Sequence, residues 1–163
     1  MGTRLYSEYL IKKHCPHVKY VRVHTSGKHT AMIYAWNEDL KLSEEETADL
    51  EHFASLYLLQ HVCFHVKAYP ALRADRVPMI EDLPDRIVEA AMQRDLDQYK
   101  ILRVINSLFT NADASFQFYD VKTGTIHFEI KSEDPITAIE KELVRKYLYE
   151  IIPLGSYVEV HYV

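Results

Sequence analysis

Residues 43–67 read SEEETADLEHFASLYLLQHVCFHVK, and how this stretch folds decides how many strands the chain holds. Ser43 and Glu46 have the spacing of a capping box, the serine accepting from the amide three residues on while the glutamate reaches back. Apolar side chains then recur nearly all round over 56–66, which predicts one long helix over 43–67 buried as a hydrophobic spine. With that stretch assigned to helix, five strand-like runs remain. Residues 18–25 and 29–36 form a hairpin about Ser26-Gly27, 115–121 and 125–131 form a second about Thr123-Gly124, and 157–163 alternates as a last strand. The expectation is an α+β fold: one largely antiparallel five-stranded sheet, made of two hairpins and a C-terminal strand, with helices packed on one face.

Outside these runs, 3–14 reads as a helix stopped by Pro16, and 85–94 and 96–110 as two more. Asp134-Pro135 opens a helix to about residue 152. Pro70, Pro78 and Pro84 punctuate a polar loop over 69–84, the segment expected to be most mobile. The element order is αββα, αα, ββαβ. Residues 3–67 and 96–163, linked by the 69–84 loop, share a helix, hairpin, helix order, and a shift of 97 residues sets Gly27 on Gly124 and Leu5 on Leu102. The order admits a degenerate αββα duplication that residue identities elsewhere do not establish. The 163 residues suit a single domain spanning 1–163, with one core.

Only four glycines occur, Gly2, Gly27, Gly124 and Gly155. Phosphate-cradling loops, dinucleotide fingerprints and nucleophile elbows each need glycines clustered within a few residues, so those enzyme classes are excluded. Two cysteines make no disulfide framework, no apolar leader precedes the body, and no run approaches the roughly 20 apolar residues of a membrane span. A cytoplasmic protein without membrane contact is expected. The net charge is −5, yet residues 1–30 hold six basic side chains against Glu8 alone. Lys12, Lys13, Lys19, Arg22 and Lys28 are therefore the nucleic-acid candidates, although the acidic whole argues against that partner.

Nine histidines make metal binding a question. His61 and His65, one turn apart on the predicted spine helix, are one candidate pair, but Val62 stands where a zincin needs glutamate. Cys15, beside Lys12, Lys13 and His17, is expected to be partly exposed, with its thiol pKa lowered. Alternation in the second hairpin sends Tyr119, Val121, Ile126, Phe128 and Ile130 to the core, and Phe116, Phe118, Asp120, His127 and Glu129 outward. If the last strand joins that hairpin, Tyr157, Glu159 and His161 extend the outward set. Phe116, Phe118, Tyr157, His127, Glu129, Glu159 and His161 are thus the candidate binding face, and His127, Glu129 and His161 a candidate site for zinc or another divalent metal. The bland account of the same residues is a half-solvated sheet face with cross-strand pairs such as Asp120 opposite His127.

Three function classes survive. The absence of a catalytic motif, together with aromatic residues on more than one surface, favours a cytoplasmic binding or regulatory module. It would act through protein–protein contacts, without enzymatic activity or cofactor, and as a homodimer. The alternative is a small metal-dependent enzyme using the outer His/Glu cluster, and the third a weak nucleic-acid binder through the basic N-terminal third.

Overall fold

The computed structural model describes residues 2–78 and 82–163, so residues 79–81 of the expected 69–84 loop lie outside the described residues. Helix α1 (Arg4–His14) leads into the hairpin of β1 (Val18–Gly27) and β2 (Thr30–Asn37), and α2 (Glu44–Tyr57) leads into β3 (Cys63–Ala68). The short α3 (Ala71–Ala74) and α4 (Asp85–Ala91) come next, followed by α5 (Gln98–Leu108), β4 (Ala112–Asp120), β5 (Thr125–Ser132), α6 (Ala138–Ile151) and β6 (Tyr157–Tyr162).

Two three-stranded mixed sheets, ordered β1-β2-β3 and β4-β5-β6, replace the expected single antiparallel sheet of five strands. The reason lies in 43–67. The capping box at Ser43 forms as predicted, but the helix stops at Tyr57, where Leu58 leaves helical conformation with φ −85° and ψ −117°. Residues 63–68 form a sixth strand, with Cys63, His65 and Lys67 exposed and Phe64 and Val66 turned toward the core. A continuous apolar run does not distinguish a buried helix from a helix followed by a short strand. Because β3 returns after a helical crossover, it runs parallel to β2, and β6 runs parallel to β5 for the same reason.

Each sheet carries its own core. Ile11 of α1 and Leu50 and Ala54 of α2 pack on Val21, Val23, Ile33 and Ala35 of the first sheet. Ile101, Ile105, Val144 and Leu148 of α5 and α6 pack on Ala114, Phe128 and Ile130 of the second, with α4 adding Ile87 and Ala91. Two apolar clusters therefore stand where the chain's size alone suggested one. The helices of the two αββαβ units start 94 positions apart, Arg4 against Gln98 and Glu44 against Ala138, and β3 and β6 keep the same spacing, Cys63 against Tyr157. The 97-residue shift, which sets Gly27 on Gly124 and Leu5 on Leu102, is three residues longer than the offset of these elements. A second capping box, Thr137 with Glu140, starts α6, rather than the expected Asp134-Pro135.

The turns differ from expectation, and the faces follow. In the first hairpin Gly27 pairs with Thr30 about Lys28-His29 instead of turning at Ser26-Gly27, so His24 lies opposite Met32. In the second, Asp120 pairs with Thr125, and a bulge falls between Phe116 and Phe118. The extra residue at a bulge reverses the side-chain alternation. Phe116 therefore packs on the core beside Phe128, with ring centroids 6.2 Å apart, and is not part of the outward face. Tyr119 and Val121, expected in the core, are exposed.

Candidate functional site

The face of the second sheet opposite its helices gathers side chains from all three strands. Phe118 of β4 lies opposite His127 of β5, which in turn lies beside Glu159 of β6, and Glu129 lies beside His161. Period-two alternation puts these on one side because β5 and β6 carry no bulge. The Phe118 and His127 rings stack at 4.2 Å and 14°, and the His161 ring lies nearly parallel to His127, at 5.3 Å and 10°. His127 Nδ1 and His161 Nε2 are 3.0 Å apart, a hydrogen bond in which one ring donates and the other accepts. The Glu159 carboxylate stands 3.9 Å from each of these nitrogens.

Glu129 shares the face but turns toward Lys131, its oxygen 3.6 Å from Nζ. The ligand set His127, Glu129 and His161 is thus replaced by His127, Glu159 and His161, the only three-donor group of this kind among the described residues. Tyr157 also lies outward, while Asp120 is not opposite His127 but beside Thr125. The backbone N–H of Lys122, 2.9 Å from the Asp120 carboxylate, holds that carboxyl below its usual range.

The first sheet treats its equivalent face differently. Residues 69–78, expected as mobile loop, cross it and are tied down. Tyr34 is 2% exposed. Its hydroxyl donates to Asp75 at 2.7 Å, and Lys67 Nζ donates to the same carboxylate oxygen at 2.8 Å. Burial, reinforced by the Asp75 bond, pushes the Tyr34 hydroxyl pKa well up, whereas the Lys67 bond holds the Asp75 carboxyl down. Tyr69 packs its ring against Trp36 and Tyr20.

The remaining sequence candidates do not assemble. His61 follows α2 and sits 6.0 Å from the His29 ring, while His65 is on β3 with Nε2 3.6 Å from Cys63 Sγ, so the pair shares no helix face. Cys15 is buried, and burial, with Asp49 adding to it, pushes its thiol pKa up, the reverse of the reactive cysteine expected. Lys12 and Lys13 end α1, and Lys19 faces Glu38 at 3.7 Å. Lys28 is nine residues along from Lys19, about 30 Å at strand rise. Arg22 is half-buried and donates to the Pro78 carbonyl. These five cations form no common stripe.

One constellation escaped the sequence reading altogether. Arg4 of α1, 2% exposed, donates through Nε at 2.9 Å and Nη2 at 2.6 Å to Glu150 of α6, joining the two units. Its Nη1 donates to Glu8 at 2.6 Å, and the same Glu8 oxygen accepts the Val23 N–H at 2.9 Å. Beside this clasp the Tyr149 hydroxyl lies 2.5 Å from His24 Nδ1. Burial, then the cations Arg22 and Arg4, lower the His24 pKa, and burial pushes Tyr149 up to about 12. Arg4 and Glu150 stand 146 residues apart, a separation at which no sequence spacing signals a pair.

Comparison with known proteins finds no matching family model and no matching curated protein. Among solved structures, the periplasmic domain of the T3SS inner membrane protein PrgH from S. typhimurium aligns over 96% of this chain and 68% of its own, at 14% identity and a TM-score of 0.32. An overlap that loose carries no argument about this chain.

Proposed function

We propose that the chain is one domain of two half-repeats and serves as a non-enzymatic binding or regulatory module, acting through protein–protein contacts at the outer face of the second sheet. The observation that carries this reading is the contrast between the sheets: residues 69–78 roof the first, while the second leaves Phe118 52% and Tyr157 41% exposed. Apolar patches left on a sheet face mark contact surfaces. Strand β6 adds a free edge, because it pairs on one side only and carries neither proline nor lysine to blunt the other.

The occupant proposed is a second copy of the chain. Glu129 and Glu159 alternate on this face with Lys131 and two histidines, so a two-fold rotation sets acid against base on an identical surface. An exposed free Cys63 suits a reducing, cytoplasmic setting. No helix among the described residues is long and apolar enough to cross a membrane. The acidic balance and the scattered cations favour neither nucleic acid nor its phosphates as partner.

Sedimentation velocity at micromolar protein tests the proposal. A species of twice the 19.1 kDa chain mass, dissociated by Phe118→Glu, is the expected result. A 19.1 kDa species at neutral pH that Phe118→Glu leaves unchanged removes both the dimer and the interface.

A further inference from the structure

We infer that His127, Glu159 and His161 form a binding site for one divalent transition-metal ion, Zn²⁺ foremost, on the outer face of the second sheet. The inference goes beyond the docking role and stands whether or not a second chain covers the face.

Strand register brings the three donors together. In the parallel pair β5 and β6, His127 lies directly beside Glu159, and His161 is two residues further along β6 on the same side. Adjacent strands are about 4.8 Å apart and like-facing residues about 6.6 Å apart along a strand, so three donors placed this way converge on one point above the sheet. The backbone ladder of two strands, not a loop, sets their spacing.

The atoms bear this out. The two ring nitrogens are 3.0 Å apart, and the Glu159 oxygens lie 3.9 Å from one and from the other. The point equidistant from these atoms is roughly 2.4 Å from each, so a small inward closing of the exposed Glu159 and His161 side chains brings them to the length of Zn–N and Zn–O bonds. Without an ion, the two imidazoles satisfy one another with a single hydrogen bond. The carboxylate is then left beyond hydrogen-bond reach of both. A cation accounts for all three groups together: it takes a lone pair from each ring and neutralises the carboxylate between them.

Phe118 supplies the positioning. Its ring stacks on His127, only 9% exposed, and fixes the imidazole plane before any ion arrives. Glu159 and His161 are exposed, with 59% and 47% of their side chains accessible, so the ion's remaining positions open to water. Two imidazoles and one carboxylate with open positions suit zinc, cobalt, nickel or ferrous iron better than the hard cations, which prefer all-oxygen sites. The other histidine pairs, His29 with His61 and His65 with Cys63, belong to no three-donor group among the described residues.

Titration of the metal-stripped full chain with Zn²⁺ by calorimetry, and with Co²⁺ by visible absorption, tests the site. The expected result is one equivalent bound at micromolar ion or tighter, with His161→Ala weakening it by more than about tenfold and Glu159→Gln by about tenfold. Both substitutions fall on exposed side chains, so an unchanged far-UV spectrum and unfolding midpoint will show that the fold persists. His65→Ala is expected to leave the affinity unchanged. No saturable binding at micromolar ion, an affinity untouched by His161→Ala, or a loss caused by His65→Ala would overturn the assignment.

Discussion

Replacing Arg4 by methionine keeps most of the side-chain stem and removes the guanidinium bonded to Glu150. Arg4 is 2% exposed, Glu150 is 5% exposed, and Glu8 shares the same guanidinium. The substitution deletes three charge-assisted hydrogen bonds and leaves the buried Glu150 and the half-buried Glu8 carboxylates without their shared cation. Breaking a buried pair from one side costs about 3 to 5 kcal/mol, because the stranded charge remains out of water. That is a large share of the roughly 5 to 15 kcal/mol that holds a typical domain folded. In the intact protein burial already sets the Glu8 carboxyl above its ordinary range, with Arg4 and the Val23 N–H pulling it down against that rise. Without Arg4, desolvation and the nearby Glu150 charge raise the Glu8 carboxyl further in the folded state. A carboxyl raised on folding binds its proton more readily in the native state, so its stabilising contribution is present at low pH and lost as pH rises through the folded value. The deficit of Arg4→Met is therefore largest near neutrality and shrinks on acidification, by about 1.4 kcal/mol for each unit of rise. Urea unfolding at about pH 7 and about pH 5, followed by far-UV circular dichroism and by fluorescence of Trp36, measures both quantities. A loss below about 1 kcal/mol near pH 7, or a deficit that grows as the pH falls, refutes the picture of a buried clasp.

Phe128→Ala is expected to cost about 3 to 5 kcal/mol in the same assay, since the ring is 1% exposed at the centre of the second core. Gly155→Ala is expected to cost about 1 to 2 kcal/mol or more, because φ is +84° there and an added Cβ would come within 3.1 Å of the His29 backbone at the junction of the units; an unchanged midpoint would show that the junction yields freely. Asp75→Ala removes the acceptor shared by Tyr34 and Lys67, so limited proteolysis within 69–78 should become faster than in the parent chain. Equal cleavage rates would mean that the ring contacts of Tyr69 hold the segment by themselves.

Local signals in the sequence translate directly into structure where one element alone decides the outcome. The capping box at Ser43 and the N-terminal helix form where cap chemistry places them, and both hairpins form from the expected strand runs, with their turns shifted. Residues 43–67 mislead because apolar side chains are frequent across the α2–β3 junction, interrupted only by Gln60 and His61, which hides the change from helical to alternating period. Cys63, His65 and Lys67 as one face, with Phe64 and Val66 as the other, are the alternation that marks the sixth strand and completes the first αββαβ unit. Leu56 and Tyr57, expected in the buried spine, are exposed because only Leu50 and Ala54 of α2 reach full burial.

The candidate site divides along the same line. Strict alternation in β5 and β6 is legible in the residues themselves, and it assigns His127, Glu159 and His161 to one face. Which of two carboxylates joins the histidines is not legible there, because Glu129 and Glu159 alternate equally well. The choice follows from the parallel register that α6 imposes, which sets Glu159 beside His127 while Glu129 swings toward Lys131. Phe116 leaves the face for a similar reason: a one-residue bulge leaves no mark in composition, yet it turns every side chain on one side of it to the opposite surface. Face assignment is a property of a single strand, whereas a metal triad is a property of two strands in register. A single sequence states the first and is silent on the second, which makes the choice between Glu129 and Glu159 the point where the fold adds most to the chemistry.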